Sequence, residues 1–383
     1  MQPVPKSEWD RAPWNRWSFQ HVADILPTVA ISRGTGPVRK LPRNEHDELD
    51  RLPVAGIDGA TVVLATFLEQ TFTDGFLVLR DGAIVYERYL NGVSPETLHL
   101  SQSVAKSFTG MLAGILARRR MIAINVLLTD YVPELEATAY RGATLRHVLD
   151  MTSGVRFAED YTDPYSDMGR ADVASGWKPI PDGADPAMQW PQSMLELILS
   201  LRDLDREHGE AFAYRSIETD VLALVLERAT GKRLAQLMSE ELWQKLGMEQ
   251  DANMTVDRSG FALADGGLNA CLRDYSRFGQ MILEEGGGIA PAGWIEATRN
   301  ADHSLFGAPY TAVLPDGAYR NQFWVEDGKD RNVMARGVFG QLIYIDFKHR
   351  MVVVKLSSWP EFVNPAWTVA TLEAVRAIGR ALS

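Results

Sequence analysis

A hydroxyl and an amine lie three residues apart in the segment Ser103-Val104-Ala105-Lys106. The apolar residues that follow recur every three or four positions, which predicts a helix that begins near Ser103. At that spacing both side chains lie on one face of the first turn, so the amine can take the hydroxyl proton. The free backbone N–H groups of a helix N-terminus also favour a developing anion. These features are typical of a Ser–Lys acyl-transfer enzyme.

The Ser-x-x-Lys spacing is a weak signal by itself, because a chain of this composition is expected to contain about half a chance match. Ser175 and Lys178 form a second match, but Pro179 follows at once and no periodic apolar run continues from it. The competing interpretation of Ser103 is a helix N-cap, with Lys106 an ordinary solvated lysine. Other features of the chain must decide between these interpretations.

Composition limits the function classes that this chain of 383 residues can have. Its length predicts two lobes or one large composite domain. The net charge of −11 argues against nucleic acid and against anionic membrane surfaces as partners. The single cysteine, Cys271, excludes an intrachain disulfide. The histidines are scattered without a metal-ligating pattern, so we expect neither a metal nor a cofactor.

The predicted location of the protein follows from the absence of two kinds of sequence segment, a secretory signal and a transmembrane helix. Residues 1–15 carry charged side chains and no apolar stretch, which predicts that no secretory signal is present. No segment is long and apolar enough for a transmembrane helix. We therefore expect a cytoplasmic protein that acts on a small molecule, with homodimer formation left open.

The hydrophobic pattern predicts strands near both ends of the chain. Residues 76–79 and 83–90 alternate around the turn at 80–82, which predicts a hairpin. Further strands are predicted at 321–325, 332–338, 341–347 and 351–356. Helices are predicted at 62–71, 144–151, 218–247, 271–285 and 365–381.

These elements predict an α/β (α+β) fold with two lobes. Residues 1–102 and 300–383 form an antiparallel sheet lobe flanked by helices, and residues 103–299 form an inserted, mostly helical lobe that carries the nucleophile helix. Residues 156–195 lack periodicity, which is typical of a functional loop. Residues 1–50 are expected to be an irregular arm over the surface.

A Ser–Lys nucleophile needs a second proton carrier for the leaving group, and tyrosine is a common one. Tyr214 and Ser216 lie just before a predicted helix at 218–230. Ser103-x-x-Lys106 followed by Tyr214-x-Ser216 resembles the serine β-lactamase and penicillin-recognising superfamily, particularly its class C and esterase-like branch. The superfamily more usually has Tyr-x-Asn at the second motif. The resemblance implies a β-lactamase-like fold, with Ser103 as nucleophile, Lys106 as its base and Tyr214 as proton relay.

The similarity is closer to the 6-aminohexanoate-dimer hydrolases, which cleave the amide of a linear nylon oligomer. The similar segments span most of the chain and lie at residues 14–17, 131–135, 159–164, 175–177 and 355–360. That family places a tyrosine, a carboxylate and a tryptophan in the loop over the site. Tyr161, Asp172 and Trp177 match those positions.

Two acidic residues could make the pocket selective for an amine. The resemblance implies that Asp172 recognises the free amine of the substrate, and that Ser216 belongs to the substrate site. Asp265 falls near a position where the similar enzymes carry a neutral polar residue. The alternative is that Asp172 is solvated and Asp265 caps a turn.

The third superfamily motif, Lys-Thr-Gly or His-Thr-Gly, differs in this chain. The strand that aligns best is Ala335-Arg336-Gly337-Val338, which places Ala335 at the cationic position. Because the glycine is retained, the backbone N–H of Val338 can form an oxyanion hole with that of Ser103. Strand alternation predicts that Arg336 points to the opposite face. Without a cation to hold a β-lactam carboxylate, we expect no β-lactamase activity.

The sequence therefore predicts a serine hydrolase that forms an acyl-enzyme with a small linear amide or a carboxylic ester. Catalysis requires a neutral Lys106, so its pKa is expected to lie below the usual value of about 10.4. The alternatives are a general short-chain carboxylesterase, a D-amino-acid peptidase and a non-catalytic relative that binds a ligand. The last of these predicts a lost lysine or tyrosine, and both Lys106 and Tyr214 are present.

Overall fold

Both ends of the chain contribute to the largest sheet of the computed structural model, which describes residues 4–383. In chain order the strands are β1 (Thr28–Ile31), β2 (Pro53–Ala55), β3 (Thr61–Val63), β4 (Thr73–Arg80), β5 (Ala83–Tyr89), β6 (His99–Leu100), β7 (Ala252–Thr255), β8 (Leu268–Ala270), β9 (Ala318–Arg320), β10 (Phe323–Val325), β11 (Val333–Gly337), β12 (Gln341–Asp346) and β13 (Met351–Ser357). The seven-stranded sheet has the order β5-β4-β13-β12-β11-β10-β9 and is antiparallel throughout. The predicted α/β fold, with an antiparallel sheet built from both ends of the chain, is confirmed.

One buried helix occupies the centre of the molecule. The α-helices are α1 (Asn15–Ser18), α2 (Val22–Ile25), α3 (Leu64–Gln70), α4 (Val104–Arg118), α5 (Leu145–Leu149), α6 (Asp167–Ala174), α7 (Met194–Ser200), α8 (Ile217–Thr230), α9 (Leu234–Met238), α10 (Gln244–Leu246), α11 (Leu272–Leu283), α12 (Ala292–Arg299) and α13 (Pro365–Ala381). Every residue of α4 from Val104 to Leu116 is buried, and most of these residues are apolar, as expected for a core helix. A Cβ at Gly110 would lie 2.2 Å from the carbonyl oxygen of Asn321, so glycine allows α4 to approach this neighbouring backbone closely.

A second, four-stranded sheet has the order β1-β7-β8-β6 and links distant parts of the chain. Strand β1 pairs with β7, and β6 pairs with β8, so segments on both sides of residue 102 share this sheet. Helix α11 packs against β12 and β13 of the larger sheet. The division into two lobes stays a prediction. Within residues 4–383, no helix has the length and apolar character that crossing a bilayer requires.

Two segments that were expected to be irregular contain regular structure. Residues 156–195 include α6, which begins after Ser166, whose hydroxyl accepts a hydrogen bond of 3.0 Å from the Gly169 N–H. Residues 4–50 include α1, α2 and β1. The prediction that both segments are wholly irregular was wrong, because these elements are too short to show a hydrophobic period. Strand β9 was also missed, and residues 321–322 form the turn between β9 and β10.

The N-terminal arm packs into the core around Trp9, whereas residues 32–48 lie on the surface as expected. Trp9 is fully buried, and its Nε1 donates a hydrogen bond of 3.0 Å to the carbonyl oxygen of Trp177. The two indole rings meet edge to face, with centroids 5.2 Å apart. Asp10 forms an ion pair of 2.9 Å with Lys178. The arm therefore anchors the segment that contains Trp177 and Lys178.

Candidate active site

Ser103 directly precedes α4, as the sequence predicts. Gln102 has a φ of 50°, in the left-handed region, so the chain turns sharply just before the serine. Lys106 Nζ donates hydrogen bonds of 2.9 Å to Ser103 Oγ and 2.6 Å to the carbonyl oxygen of Asp265. Lys106 is 1% exposed. The alternative that Lys106 is an ordinary solvated lysine is therefore wrong.

The charges around Lys106 oppose the effect of its burial. Burial lowers the pKa of Lys106, but the electrostatic effects of the acidic groups of Tyr214, Asp265 and Glu159 raise it, and the net shift is upward. The predicted depression of this pKa was wrong, because acidic groups from distant segments surround the amine. The free site therefore holds Lys106 as an ammonium that donates to Ser103.

Tyr214 faces Lys106 across the site, with the ammonium 5.3 Å from the centroid of the ring. The ring stacks on Trp324 at a centroid distance of 5.3 Å, and the Tyr214 N–H donates a hydrogen bond of 2.8 Å to Tyr310 Oη. Burial raises the pKa of the Tyr214 phenol and the charge of Lys106 lowers it, with an upward net shift. The phenol is therefore protonated at neutral pH and can donate a proton.

Two spaces meet at Ser103. A cavity of about 450 Å³, a volume typical of small-molecule sites, extends from it past Tyr214 and Trp324. A recess of about 30 Å³ lies beside it, with room for one small group such as an ammonium. The predicted substrate-binding residues that line this recess are Tyr161, Asp172, Trp177, Ser216 and Asp265. Residues that border both spaces are Ser103, Tyr161 and Val338.

Glu159 connects two of these predicted residues. Tyr161 Oη donates a hydrogen bond of 2.7 Å to Glu159, and the backbone N–H of Ser216 donates one of 2.9 Å. The Ser216 hydroxyl also donates to this carboxyl group. Burial raises the pKa of Glu159 and the charge of Lys106 opposes that shift. Sequence reasoning missed Glu159, although it stands two residues before Tyr161 in a segment that resembles the 6-aminohexanoate-dimer hydrolases.

Lys178 lies between two carboxylates, at 2.8 Å from Asp172 and 2.9 Å from Asp10. One ammonium and two carboxylates leave this group with net negative charge. The Asp172 side chain is only 15% exposed, so the alternative that it is solvated is wrong. Burial raises the pKa of Asp172 to about 6. Trp177 Nε1 donates a hydrogen bond of 3.0 Å to Thr255, which fixes the indole at the edge of the recess.

Asp265 takes part in the site through two different groups. Its backbone oxygen accepts the hydrogen bond from Lys106, while the residue, 9% exposed, borders the recess. Burial raises the pKa of the Asp265 carboxyl group, and the charge of Lys106 opposes that shift. The second Ser-x-x-Lys match has a different arrangement: Ser175 donates a hydrogen bond of 3.0 Å to the carbonyl oxygen of Asp172, and Lys178 pairs with carboxylates.

Gly337 brings β11 against the turn that precedes α4. A Cβ at this position would lie 2.7 Å from the carbonyl oxygen of Ser101. The next residue, Val338, borders the cavity together with Ser103. Within residues 4–383, the backbone N–H groups of Ser103 and Val338 donate to no acceptor. Two free donors beside a serine hydroxyl are suited to binding an oxyanion.

Arg336 lies on the predicted face of β11, and that face borders the cavity. The strand alternates as predicted, with Ala335 buried in the core cluster that contains α4 and Arg336 on the opposite face. The cavity lies on that opposite face, and the Arg336 guanidinium stands 4.9 Å from the centroid of the Trp324 ring. The face of β11 was predicted correctly, but that face borders the cavity, so the inference that the site lacks a cation was wrong. Arg336 thus supplies the cavity with a cation that could face a substrate carboxylate.

Comparisons with known proteins agree with this geometry. A family profile described as Beta-lactamase matches residues 63–375. A 6-aminohexanoate-dimer hydrolase from Paenarthrobacter ureafaciens is 38% identical over 368 residues, which cover 94% of this chain and 89% of that protein. Esterase EstB from Burkholderia gladioli is 27% identical over 201 residues, covering 49% of this chain and 48% of the esterase.

A solved structure gives the same result at the level of the fold. A protein from Bacillus anthracis, provisionally named a 6-aminohexanoate-dimer hydrolase, has a TM-score of 0.88 at 28% identity and covers 99% of this chain and 97% of its own. The chain therefore belongs to the beta-lactamase family. Within that family it is a serine hydrolase, and its predicted similarity to the 6-aminohexanoate-dimer hydrolases is confirmed.

Proposed function

We propose that this protein hydrolyses small linear amides that carry a terminal ammonium group, through an acyl-enzyme on Ser103. The observation that carries the proposal is the 2.9 Å hydrogen bond between Lys106 and Ser103 at the junction of a cavity and an acidic recess. The 38% identity to a 6-aminohexanoate-dimer hydrolase supports the amide class. Carboxylic esters have a better leaving group, so the same site is expected to cleave them as well.

The Lys106–Tyr214 pair handles the protons of the reaction. Because the free site holds an ammonium and a phenol, the pair must first lose one proton, and a neutral Lys106 then accepts the proton of Ser103. The Oγ–C bond forms, the C–N bond breaks, and Tyr214 passes the proton to the leaving nitrogen. Water then attacks the acyl-enzyme and Ser103 regains its proton. The backbone N–H groups of Ser103 and Val338 stabilise the oxyanion in both steps.

The recess gives the site its preference for an amine. Lys178 neutralises only one of the two carboxylates that it contacts, so a substrate ammonium beside Asp172 balances the remaining charge. Asp265 adds a second carboxyl group at the same recess. Tyr161, Ser216 and Trp177 complete the wall of the recess.

Labelling with a fluorophosphonate tests the nucleophile. Peptide mapping by mass spectrometry should find the label on Ser103, and Ser103→Ala should abolish both labelling and hydrolysis of the 6-aminohexanoate dimer. Ser107→Ala is a matched control, because this buried hydroxyl on the same helix donates to a backbone oxygen. That variant should label like the wild type, whereas a label on Ser175 would contradict the proposal.

The substrate class and the assembly state need separate measurements. Hydrolysis of p-nitrophenyl esters with no turnover of the linear amide would favour a general short-chain carboxylesterase. Turnover of D-alanyl peptides alone would favour a D-amino-acid peptidase. Homodimer formation also stays a prediction, and sedimentation velocity measures it directly.

A further inference from the structure

Arg336 is half-buried and stands over the Trp324 ring, but the part of the fold that the structure describes supplies no anionic partner for its charge. Its guanidinium lines the cavity, and among residues 4–383 it forms neither a hydrogen bond nor an ion pair. The buried guanidinium of Arg277 is different, because it pairs with Asp274 at 2.9 Å and with Glu249 at 3.1 Å. An arginine that lines a cavity and receives no acceptor from the protein is free to bind a ligand that supplies one.

The chemistry of the expected ligand follows from the geometry of arginine. The planar fork of N–H donors matches the two oxygens of a carboxylate. Burial lowers the pKa of Arg336 to about 10, so the side chain is cationic at neutral pH. The cavity beside it is also lined by apolar side chains, among them Trp324, Leu342 and Leu372. The ligand group is therefore an anion attached to an apolar chain.

The position of Arg336 indicates which half of the substrate carries that anion. Arg336 and Tyr214 line the same cavity, and both side chains lie against the ring of Trp324, at 4.9 and 5.3 Å from its centroid. Tyr214 is the residue that protonates the leaving nitrogen in the proposed function. The acidic recess at Asp172 is a separate space beside Ser103, so a substrate ammonium and a substrate carboxylate would bind in different places.

We propose that Arg336 binds a carboxylate on the leaving amine, so that the site takes amides whose departing half is an amino acid. This inference rests on the proposed function and specifies its substrate class. It requires the carboxylate to lie on the side of the scissile bond opposite to the ammonium. Two sources share this chemistry, a long ω-amino acid such as 6-aminohexanoate and a short α-amino acid such as D-alanine.

Two amides that differ only in the carboxylate test the inference. The 6-aminohexanoate dimer is compared with 6-aminohexanoyl-hexylamide, whose leaving amine has the same carbon chain without the acid. The wild type should have a kcat/KM at least about tenfold higher for the acid, mainly through KM. Arg336→Gln should reduce that ratio to near one, and Arg336→Lys should restore part of it. Arg299→Gln is the control, because Arg299 lies 3.8 Å from the Phe347 ring and does not line the cavity.

The outcomes separate this inference from the proposed function. Equal rates on both amides in the wild type, or an equal loss on both in Arg336→Gln, would overturn the role of Arg336. Neither result would affect the labelling of Ser103, which tests the hydrolase itself. A 6-aminohexanoyl-D-alanine substrate shows which source fits, because only a matching chain length should give the Arg336-dependent preference.

A measurement on the wild type alone keeps the inference falsifiable if the Arg336 variants do not fold. 6-Acetamidohexanoate and its carboxamide are compared as inhibitors of p-nitrophenyl butyrate hydrolysis. The acid should inhibit at a concentration about tenfold lower than the amide does. Equal inhibition by the two compounds would overturn the role of Arg336.

Discussion

The start of α4 and the wall of the recess are held in place by different kinds of contact. Ser103 and Lys106 share one turn of a helix whose residues from Val104 to Leu116 are all buried, so the secondary structure sets their 2.9 Å contact. The recess wall depends on residues far apart in sequence. Trp9 binds Trp177 across 168 positions.

This difference separates the chemistry of the site from its selectivity. The position of a nucleophile on a core helix depends on the whole fold, and substitutions elsewhere leave it in place unless the core fails. The recess wall depends on a few contacts between the N-terminal arm and a loop. Substrate preference should therefore be easier to change than catalytic chemistry.

The first prediction concerns a variant that should lose catalytic activity and keep its substrate preference. Tyr214→Phe removes the hydroxyl that donates the proton and keeps the ring stacked on Trp324, so turnover should fall by about a hundredfold or more. The preference for a free-amine substrate should not change. Initial rates and the melting temperature are measured together. Tyr140→Phe is the matched control, since the buried Tyr140 hydroxyl has no hydrogen-bond partner and its loss should leave turnover unaltered. Wild-type turnover in Tyr214→Phe would show that Tyr214 only packs.

The second prediction concerns variants that should lose substrate preference and keep their catalytic activity. Asp172→Asn should lower the preference for a free-amine substrate over its N-acetylated analogue by about tenfold, because the ammonium loses its counter-charge. Asp10→Asn should lower it by about threefold, although Asp10 does not line the recess, because Lys178 then neutralises Asp172 more fully. Ratios of kcat/KM for the two substrates give the result.

Acid should have the same effect as the Asp172 substitution. Asp172 is a carboxylate above its pKa of about 6 and takes up a proton as the pH falls through that value, so the amine preference should fall there. Asp24→Asn is the control for the two aspartate substitutions, because Asp24 also lies in the N-terminal arm but its side chain is exposed. A preference that is insensitive to all of these changes would remove amine recognition from the recess.

The difference between local contacts and contacts made by distant residues also explains which features the sequence could predict. The start of α4, the strands at both ends and the helix at 365–381 follow local periodicity, and all of these are present. The prediction that Tyr214 lies close to Ser103 in the folded chain came from a motif shared with a family. It did not follow from the physics of either segment, because 111 positions separate them in the sequence.

Contacts that local patterns do not encode were missed. Glu159 acquires its role from Ser216, which lies 57 positions away. Arg336 was placed on the correct face of β11, but strand alternation does not say which face a cavity occupies. The shift of the Lys106 pKa depends on carboxyl groups that meet only in the folded chain.

The third prediction concerns Tyr161, which lies where the catalytic cavity meets the recess. Tyr161 borders both the cavity and the recess. Tyr161→Phe should reduce amide hydrolysis about fivefold more than ester hydrolysis, because an amide needs its leaving nitrogen held more closely. Parallel kcat/KM values for the 6-aminohexanoate dimer and p-nitrophenyl butyrate measure the difference. An equal loss on both substrates would assign Tyr161 to the chemistry.

The last prediction concerns the pH dependence of the stability of the folded protein. Glu218 is fully buried at the start of α8 and accepts a hydrogen bond from Ser153. Burial raises its pKa to about 8. A carboxyl group with a raised pKa in the folded state contributes stability that is complete below its unfolded pKa of about 4.3 and is lost as the pH rises to about 8.

Glu218→Gln should therefore flatten the pH dependence of stability. The neutral amide cannot ionise, so the fall in melting temperature between pH 5 and pH 8 should be a few degrees smaller than in the wild type. Differential scanning calorimetry at both pH values measures this, with Glu373→Gln as a control because Glu373 is exposed on α13. The amine preference should keep its own midpoint near the Asp172 pKa of about 6 in this variant. A change in that midpoint would show that the core and the recess wall are coupled, contrary to the separation argued from their contacts.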